Sequence, residues 1–108
     1  MSREEAIAAA VSSVQTGEFR ARLARRIAYP TESQNAARKP VLTEYLEYEL
    51  GPVLRTLGFE HKIFEHDDWP FLVAERIEDP SFLTVLGYGH GDVVRGMDDS
   101  WQEDLSPW

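Results

Sequence analysis

The sequence predicts an α/β fold in which three helices precede about three strands of a mixed sheet. Two observations predict it. Apolar residues recur at helical spacing in the first half of the chain, and short apolar runs separated by turn residues follow in the second half. A third observation agrees, because 43% hydrophobic and 28% charged residues among 108 are typical of a folded protein. We therefore expect a helical part followed by a sheet.

The first two helices are predicted from a start signal and two apolar stripes. Ser2 and Glu5 have the spacing of a capping box, and Gly17 interrupts the helical pattern that follows. A second short helix fits residues 18–28. The stripes consist of Ile7, Ala10, Val11 and Val14 in the first helix and Phe19, Leu23 and Ile27 in the second. Four arginines beside the second stripe are interpreted as a solvated helix face: Arg20, Arg22, Arg25 and Arg26.

The third predicted helix is longer and begins near Pro40, where a proline in the first turn loses no hydrogen bond. Its apolar stripe continues in phase beyond Gly51-Pro52, so this pair should kink the helix rather than end it. Gly58 is predicted to close the helix as a left-handed cap.

Three strands are predicted after the helices, at residues 59–65, 71–77 and 82–86. The turn signals at residues 67–70 and 78–80 separate them. The last strand, residues 82–86, is apolar on both sides, as expected of a central strand covered on both faces. Such a strand needs neighbours that the sequence only partly supplies, so the architecture is predicted to be incomplete.

Composition excludes several function classes. Nineteen acidic residues against eleven basic ones give a formal charge of -8, which disfavours nucleic acid and anionic membrane surfaces as partners. The absence of cysteine excludes disulfides and thiolate metal sites. No apolar run approaches the roughly 20 residues of a membrane span, and the acidic start differs from a signal peptide. We expect a cytoplasmic protein.

The residues that could carry chemistry follow the third predicted strand, in the run Gly-Tyr-Gly-His-Gly-Asp-Val-Val at residues 87–94. In extended chain His90 and Asp92 point to the same side. One nitrogen of His90 could then ligate a metal while the other donates its proton to Asp92. Neutral imidazole suits zinc. The same pair, taken alone, also fits a hydrogen-bonded structural role, and both interpretations stay open.

Together with its surroundings, this run resembles the first metal-binding segment of the zinc-dependent exopeptidases and deacylases. That family includes glutamate carboxypeptidase, acetylornithine deacetylase, succinyl-diaminopimelate desuccinylase and the dipeptidases. Trp101 and the ending Pro107-Trp108 are similar to the family, as are the loop at residues 30–33 and Leu57-Gly58-Phe59. Arg95 and the sequence of residues 105–108 depart from the family pattern, which leaves the substrate pocket undefined.

The resemblance implies two zinc ions per complete active site, with His90 as the ligand of one and Asp92 as the catalytic residue that orients His90. It also implies that a metal-activated water cleaves a peptide or an N-acyl amino acid. Residues 1–108 would form the N-terminal segment of the catalytic domain, inactive alone and holding only one ligand. The remaining ligands and a dimerisation domain would lie in further chain of a homodimeric protein. An unpaired strand edge would let the isolated segment self-associate.

Two other interpretations compete with the hydrolase. The chain could be a small acidic binding domain, derived from the same fold and without catalysis, or an unrelated α/β domain with a coincidental His-x-Asp. His61 and His66 are poor substitutes as ligands, because an odd spacing on a strand turns them to opposite faces. The acidic pairs at residues 67–68 and 98–99 are interpreted as turn residues, and Trp69 and Trp101 as core side chains.

Overall fold

The computed structural model describes all 108 residues. They form two compact units, one of Met1–Tyr29 with Trp108 and the other of Pro30–Pro107. The first unit contains α1, Arg3–Gln15, and α2, Glu18–Ile27. The predicted capping box starts α1: the amide of Glu5 donates to Ser2 Oγ at 3.2 Å, and the amide of Ser2 donates to Glu5 Oε2 at 2.6 Å. Both predicted helices are confirmed.

The apolar stripes of these helices are exposed. Their side chains keep between 44% and 63% of their accessible surface: Ile7, Val11, Val14, Phe19, Leu23 and Ile27. Arg22 of the basic cluster lies 3.7 Å from Glu18 and donates a 3.1 Å hydrogen bond to Ser13, all on an exposed surface. The periodicity therefore predicted the two helices correctly, and their apolar stripes remain exposed.

The second unit begins its helical part with a 3-10 turn, Ala36–Arg38. Three consecutive stretches then make one helix: α3, Lys39–Glu44, a π-helical segment, Tyr45–Leu50, and α4, Gly51–Thr56. The amide of Gly51 donates to the carbonyl of Leu46, five residues back. Pro52 has no amide hydrogen, and in a regular α-helix its ring would meet the carbonyl four residues earlier. The wider π turn precedes this proline, and the helix continues through it as predicted.

The helix ends at Gly58, as predicted. Gly58 has φ +79°, and its amide donates to the carbonyl of Arg55 at 3.0 Å. The amide of Phe59 donates to Leu54 at 3.0 Å. This pair of bonds is the Schellman arrangement, in which glycine adopts the left-handed conformation without a Cβ penalty.

The sheet is a two-stranded antiparallel hairpin of β1, Glu60–His66, and β2, Trp69–Glu75. Asp67 and Asp68 form its two-residue turn with φ of +49° and +66°, values that match the twist of a tight hairpin. The first two predicted strands are confirmed, with shifted bounds. Trp69 and Pro70 belong to the strand and not to the turn, and the sheet is antiparallel and not mixed.

The third predicted strand is wrong. Residues 82–86 join no sheet, and Leu83 and Leu86 are 95% and 93% exposed. The apolar composition satisfies strand propensity, but a strand also needs a partner for its amide and carbonyl groups. In this chain β1 and β2 pair with each other, and no third strand lies beside this segment.

Burial is slight in this chain. Leu42 is the single buried apolar side chain, whereas Thr31, Glu32 and Glu49 are buried polar ones. Leu83, Val85 and Leu86 keep 90% or more of their surface accessible. Much of the apolar surface of the chain is therefore open to solvent. None of the helices combines the length and the apolar character that a membrane span requires.

Candidate functional site

The predicted site lies in a loop and not at the mouth of a strand. His90 and Asp92 follow residues 82–86, which are not a strand, so the expected sheet does not place them. Another segment of the chain holds them in position instead. The loop of residues 90–96, called the His90 loop below, is held against the segment Thr31–Ser33, from which it is separated by about 60 residues of sequence.

The His90 side chain faces Asp92. Its Nδ1 lies 3.4 Å from Asp92 Oδ1 and 3.1 Å from the backbone oxygen of Asp92. The imidazole is 72% exposed and the Asp92 side chain 41% exposed. With Nδ1 directed at two oxygen atoms of one residue, a proton on Nδ1 is favoured and Nε2 is left as the basic nitrogen. The arrangement can therefore offer Nε2 to a metal or to a proton donor.

Backbone pairing anchors the centre of the His90 loop. The amide of Val93 donates to the carbonyl of Thr31 at 2.9 Å, and the amide of Ser33 donates to the carbonyl of Val93 at 2.8 Å. The hydroxyl of Thr31 donates to the carbonyl of Gly91 at 2.7 Å. Glu32 and Val93 thus form an isolated parallel bridge, and Asp92 lies between two anchored neighbours.

The carboxylate of Glu32 anchors the far end of the same loop. Glu32 is 7% exposed, and its Oε1 accepts a 2.8 Å bond from the amide of Gly96. Its Oε2 accepts a 2.9 Å bond from Asn35 Nδ2 and lies 3.6 Å from Arg38 Nε. The Gly96 amide, then Asn35, and then the positive charges of Arg38 and Arg95 hold the pKa of Glu32 below its ordinary value, against the opposing effect of burial.

The aromatic ring of Tyr45 packs against the His90 loop at Gly91. A Cβ added at Gly91 would lie 3.2 Å from Cδ1 and 3.4 Å from Cζ of Tyr45, and closer still to Cε1 of that ring. Tyr45 is the first residue of the π-helical segment. A Cβ at Gly89, on the other side of His90, would meet nothing within 4 Å. Of the two glycines that flank His90, only Gly91 is therefore required by packing.

A cavity of about 310 Å³ opens beside Glu32. Its lining contains side chains of both charges. Arg38 and Arg95 are positively charged, and the negatively charged residues are Glu32, Asp98 and Asp99. His90 and Asp92 are not among the lining residues. The predicted site is therefore not part of this cavity.

The remaining candidates do not assemble into a second site. His61 packs against Gly51, whereas His66 is 84% exposed at the far end of β1, with its Nε2 3.5 Å from Asp67. Nowhere do three His, Asp or Glu side chains converge in a way that could hold a metal ion. The predicted core role of the tryptophans is wrong: Trp69 is 42% exposed beneath Lys39, and Trp101 is 47% exposed, donating to the Gly96 carbonyl.

Sequence reasoning missed the residues that hold the loop, namely Thr31, Glu32 and Tyr45. The sequence of residues 30–33 indicates a loop without indicating what it contacts, and Tyr45 falls on the apolar stripe of the third predicted helix. The one available signal was Glu32 itself, an acidic residue in a short polar loop next to Thr31. A contact across 64 residues leaves no local pattern in the sequence.

No known protein family, curated protein or solved structure was found to match this chain. The resemblance to the zinc exopeptidases and deacylases therefore depends on the motif residues alone.

Proposed function

We propose that the chain is the N-terminal segment of a zinc-dependent hydrolase that cleaves a peptide or an N-acyl amino acid. His90 ligates one zinc ion through Nε2. Asp92 holds the ring from the opposite edge and keeps the proton on Nδ1, so that Nε2 presents its lone pair to the metal. When bound, zinc supplies Lewis-acid activation of water and of the scissile carbonyl.

A single observation carries the proposal: an exposed imidazole whose Nδ1 faces a carboxylate at 3.4 Å. The absence of cysteine is compatible with a site built from imidazole and carboxylate. These features fit one ligand of a zinc centre.

The rest of the zinc centre is proposed to come from polypeptide outside these 108 residues. Catalytic zinc sites use about three protein ligands, and this chain brings only one to the site. The exposure of the apolar residues at 82–88 supports this view, because such a run normally lies inside a sheet. Phe64, Phe71 and Val73 leave one face of the hairpin apolar and open as well.

Zinc titration of the chain, followed through the imidazole signals of its three histidines, tests the ligand assignment. We expect weak binding in which His90 Nε2 responds first. Asp92→Asn should weaken that response, and His90→Ala should remove it. His66→Ala is the matched control, because His66 also lies beside an aspartate and is exposed. Tight binding that survives His90→Ala, or a response of His66 before His90, would overturn the proposal.

A second candidate is an acidic binding domain without catalysis. The open apolar surface also fits a partner protein that would cover it. The coding sequence downstream of Trp108 separates the two candidates. Further histidine, aspartate and paired glutamate ligands in the same reading frame are expected for the hydrolase, whereas an immediate stop codon would support the binding domain.

A further inference from the structure

The His90 loop receives no anchor from the chain that precedes it. Residues 82–88 are exposed, with Leu83, Val85 and Tyr88 at 95%, 90% and 94%. The amide of Phe82 bonds only to the nearby carbonyl of Asp79. A Cβ added at Gly89 would have no neighbouring atom within 4 Å. Whatever fixes His90 and Asp92 must therefore act from the other side of the loop.

Five hydrogen bonds join this loop to three consecutive residues that are distant in sequence. Thr31 contributes its hydroxyl and its carbonyl, Glu32 its carboxylate, and Ser33 its amide and hydroxyl. They contact the loop at Gly91, Val93 and Gly96. Asp92 lies between the first two contacts, so the direction of its side chain depends on them.

Glu32 is the most unusual member of this group. Burying a carboxylate is unfavourable unless hydrogen bonds and opposite charge compensate. Here Oε1 accepts a hydrogen bond from the amide of Gly96. Oε2 accepts one from Asn35 and lies near the guanidinium of Arg38. One buried charge thereby connects the end of the His90 loop to the 3-10 turn that begins the helix. A neutral contact would give the loop less restraint, because hydrogen bonds to charged groups are stronger.

We propose that Thr31 and Glu32 are positioning residues for the His90–Asp92 pair. Thr31 fixes the backbone on the N-terminal side of Asp92, and Glu32 fixes the loop beyond Val93. Together they keep Asp92 beside Nδ1 of His90, so that Nε2 is the nitrogen free for a metal. The metal-ligand part of this assignment rests on the proposed function, whereas the positioning is a property of the chain itself.

Three readouts on the 108-residue chain test the positioning. They are the population of the Nδ1-protonated tautomer of His90, from ¹⁵N shifts of its ring, the amide hydrogen exchange of Val93 and Gly96, and zinc affinity. Glu32→Ala and Thr31→Val should lower the tautomer population and speed exchange about fivefold or more, the equivalent of one lost hydrogen bond. Zinc affinity should fall about tenfold, as when a residue that orients a ligand is lost.

Matched variants separate positioning from general stability. Thr56→Val also deletes a hydroxyl that donates at 2.7 Å, to the Val53 carbonyl within the helix, and should leave all three readouts unchanged. Thr31→Ser keeps the hydroxyl and should restore the wild-type tautomer. Should Glu32→Ala fail to fold, Glu32→Gln provides the test. It retains an acceptor for Gly96 but loses the charge, so its exchange rates should be intermediate.

The outcomes distinguish this inference from the proposed function. A tautomer population that Thr31→Val and the Glu32 variants leave at the wild-type value would overturn the positioning, even if zinc binds through His90. Zinc binding independent of His90, with a tautomer that still responds to these variants, would instead overturn the proposed function and support the positioning.

Discussion

Replacing Gly91 by alanine should displace the His90 loop, because the new methyl group would enter the space of the Tyr45 ring. Its Cβ would lie 3.2 Å from Cδ1 and 3.4 Å from Cζ, and nearer to Cε1, so either the ring or the loop must move. The ring belongs to the π-helical segment, and the loop is hydrogen-bonded to Thr31–Ser33. Overpacking of such a contact costs about 1–3 kcal/mol. Alanine at Gly89 should cost less than about 0.5 kcal/mol, since that site is open.

Urea unfolding of the variants measures this cost, and a double-mutant cycle assigns it to the ring. Gly91→Ala should be less costly in a Tyr45→Ala background, with a coupling energy of about 1 kcal/mol or more. The ring signals of His90 should shift in Gly91→Ala and not in Gly89→Ala. Strict additivity of the two substitutions, or equal costs at both glycines, would refute the role of Tyr45 in packing against the loop.

Three further predictions concern other parts of the chain. Because the pKa of Glu32 is lowered in the folded state, its contribution to stability is complete above the ordinary value of 4.5 and is lost as the pH falls through the lowered pKa. The stability gap between wild type and Glu32→Gln in urea titrations should therefore close in acid. The pKa of Asp79 is also lowered, by its hydrogen bonds from Ser81, so the stability of the variant keeps some sensitivity to acid. A stability gap between wild type and variant that widens in acid would contradict the predicted sign. We expect the chain to self-associate through the exposed apolar run at residues 82–86. The double substitution Leu83→Asp and Val85→Lys places charges on this run and should therefore reduce association in sedimentation velocity, whereas a wild-type chain that stays monomeric would contradict the expectation. Gly58→Ala should cost about 1 kcal/mol or more in thermal unfolding, because φ +79° disfavours a side chain, and a neutral effect would show that the helix end can rearrange.

The motif at residues 87–94 shows which features of the site could be predicted from the sequence alone. The spacing of His90 and Asp92 predicted that they face one another, and the structure places Nδ1 3.4 Å from Oδ1. The predicted reason for their position, the mouth of a central strand, was wrong, since residues 82–86 pair with nothing. The partner that does hold them, Thr31–Ser33, could not be identified from spacing, because each contact joins residues about 60 apart.

Local signals were sufficient wherever the determining interactions lie within a few residues. The capping box at Ser2 and the left-handed glycine at residue 58 satisfy their own backbone groups, so the amino acids alone determined them. The turn signal at residues 67–70 correctly predicted a turn but not its two-residue length, because pairing with β1 places Trp69 and Pro70 in β2. Burial and loop placement were decided by tertiary structure. A strand needs a neighbour, an apolar stripe needs a surface to cover it, and a buried carboxylate needs donors from elsewhere. The carboxylate of Glu32 finds its donor in the amide of Gly96, 64 residues away. Residues 82–86 find neither a neighbouring strand nor a covering surface. Only the folded chain decides which distant residues meet.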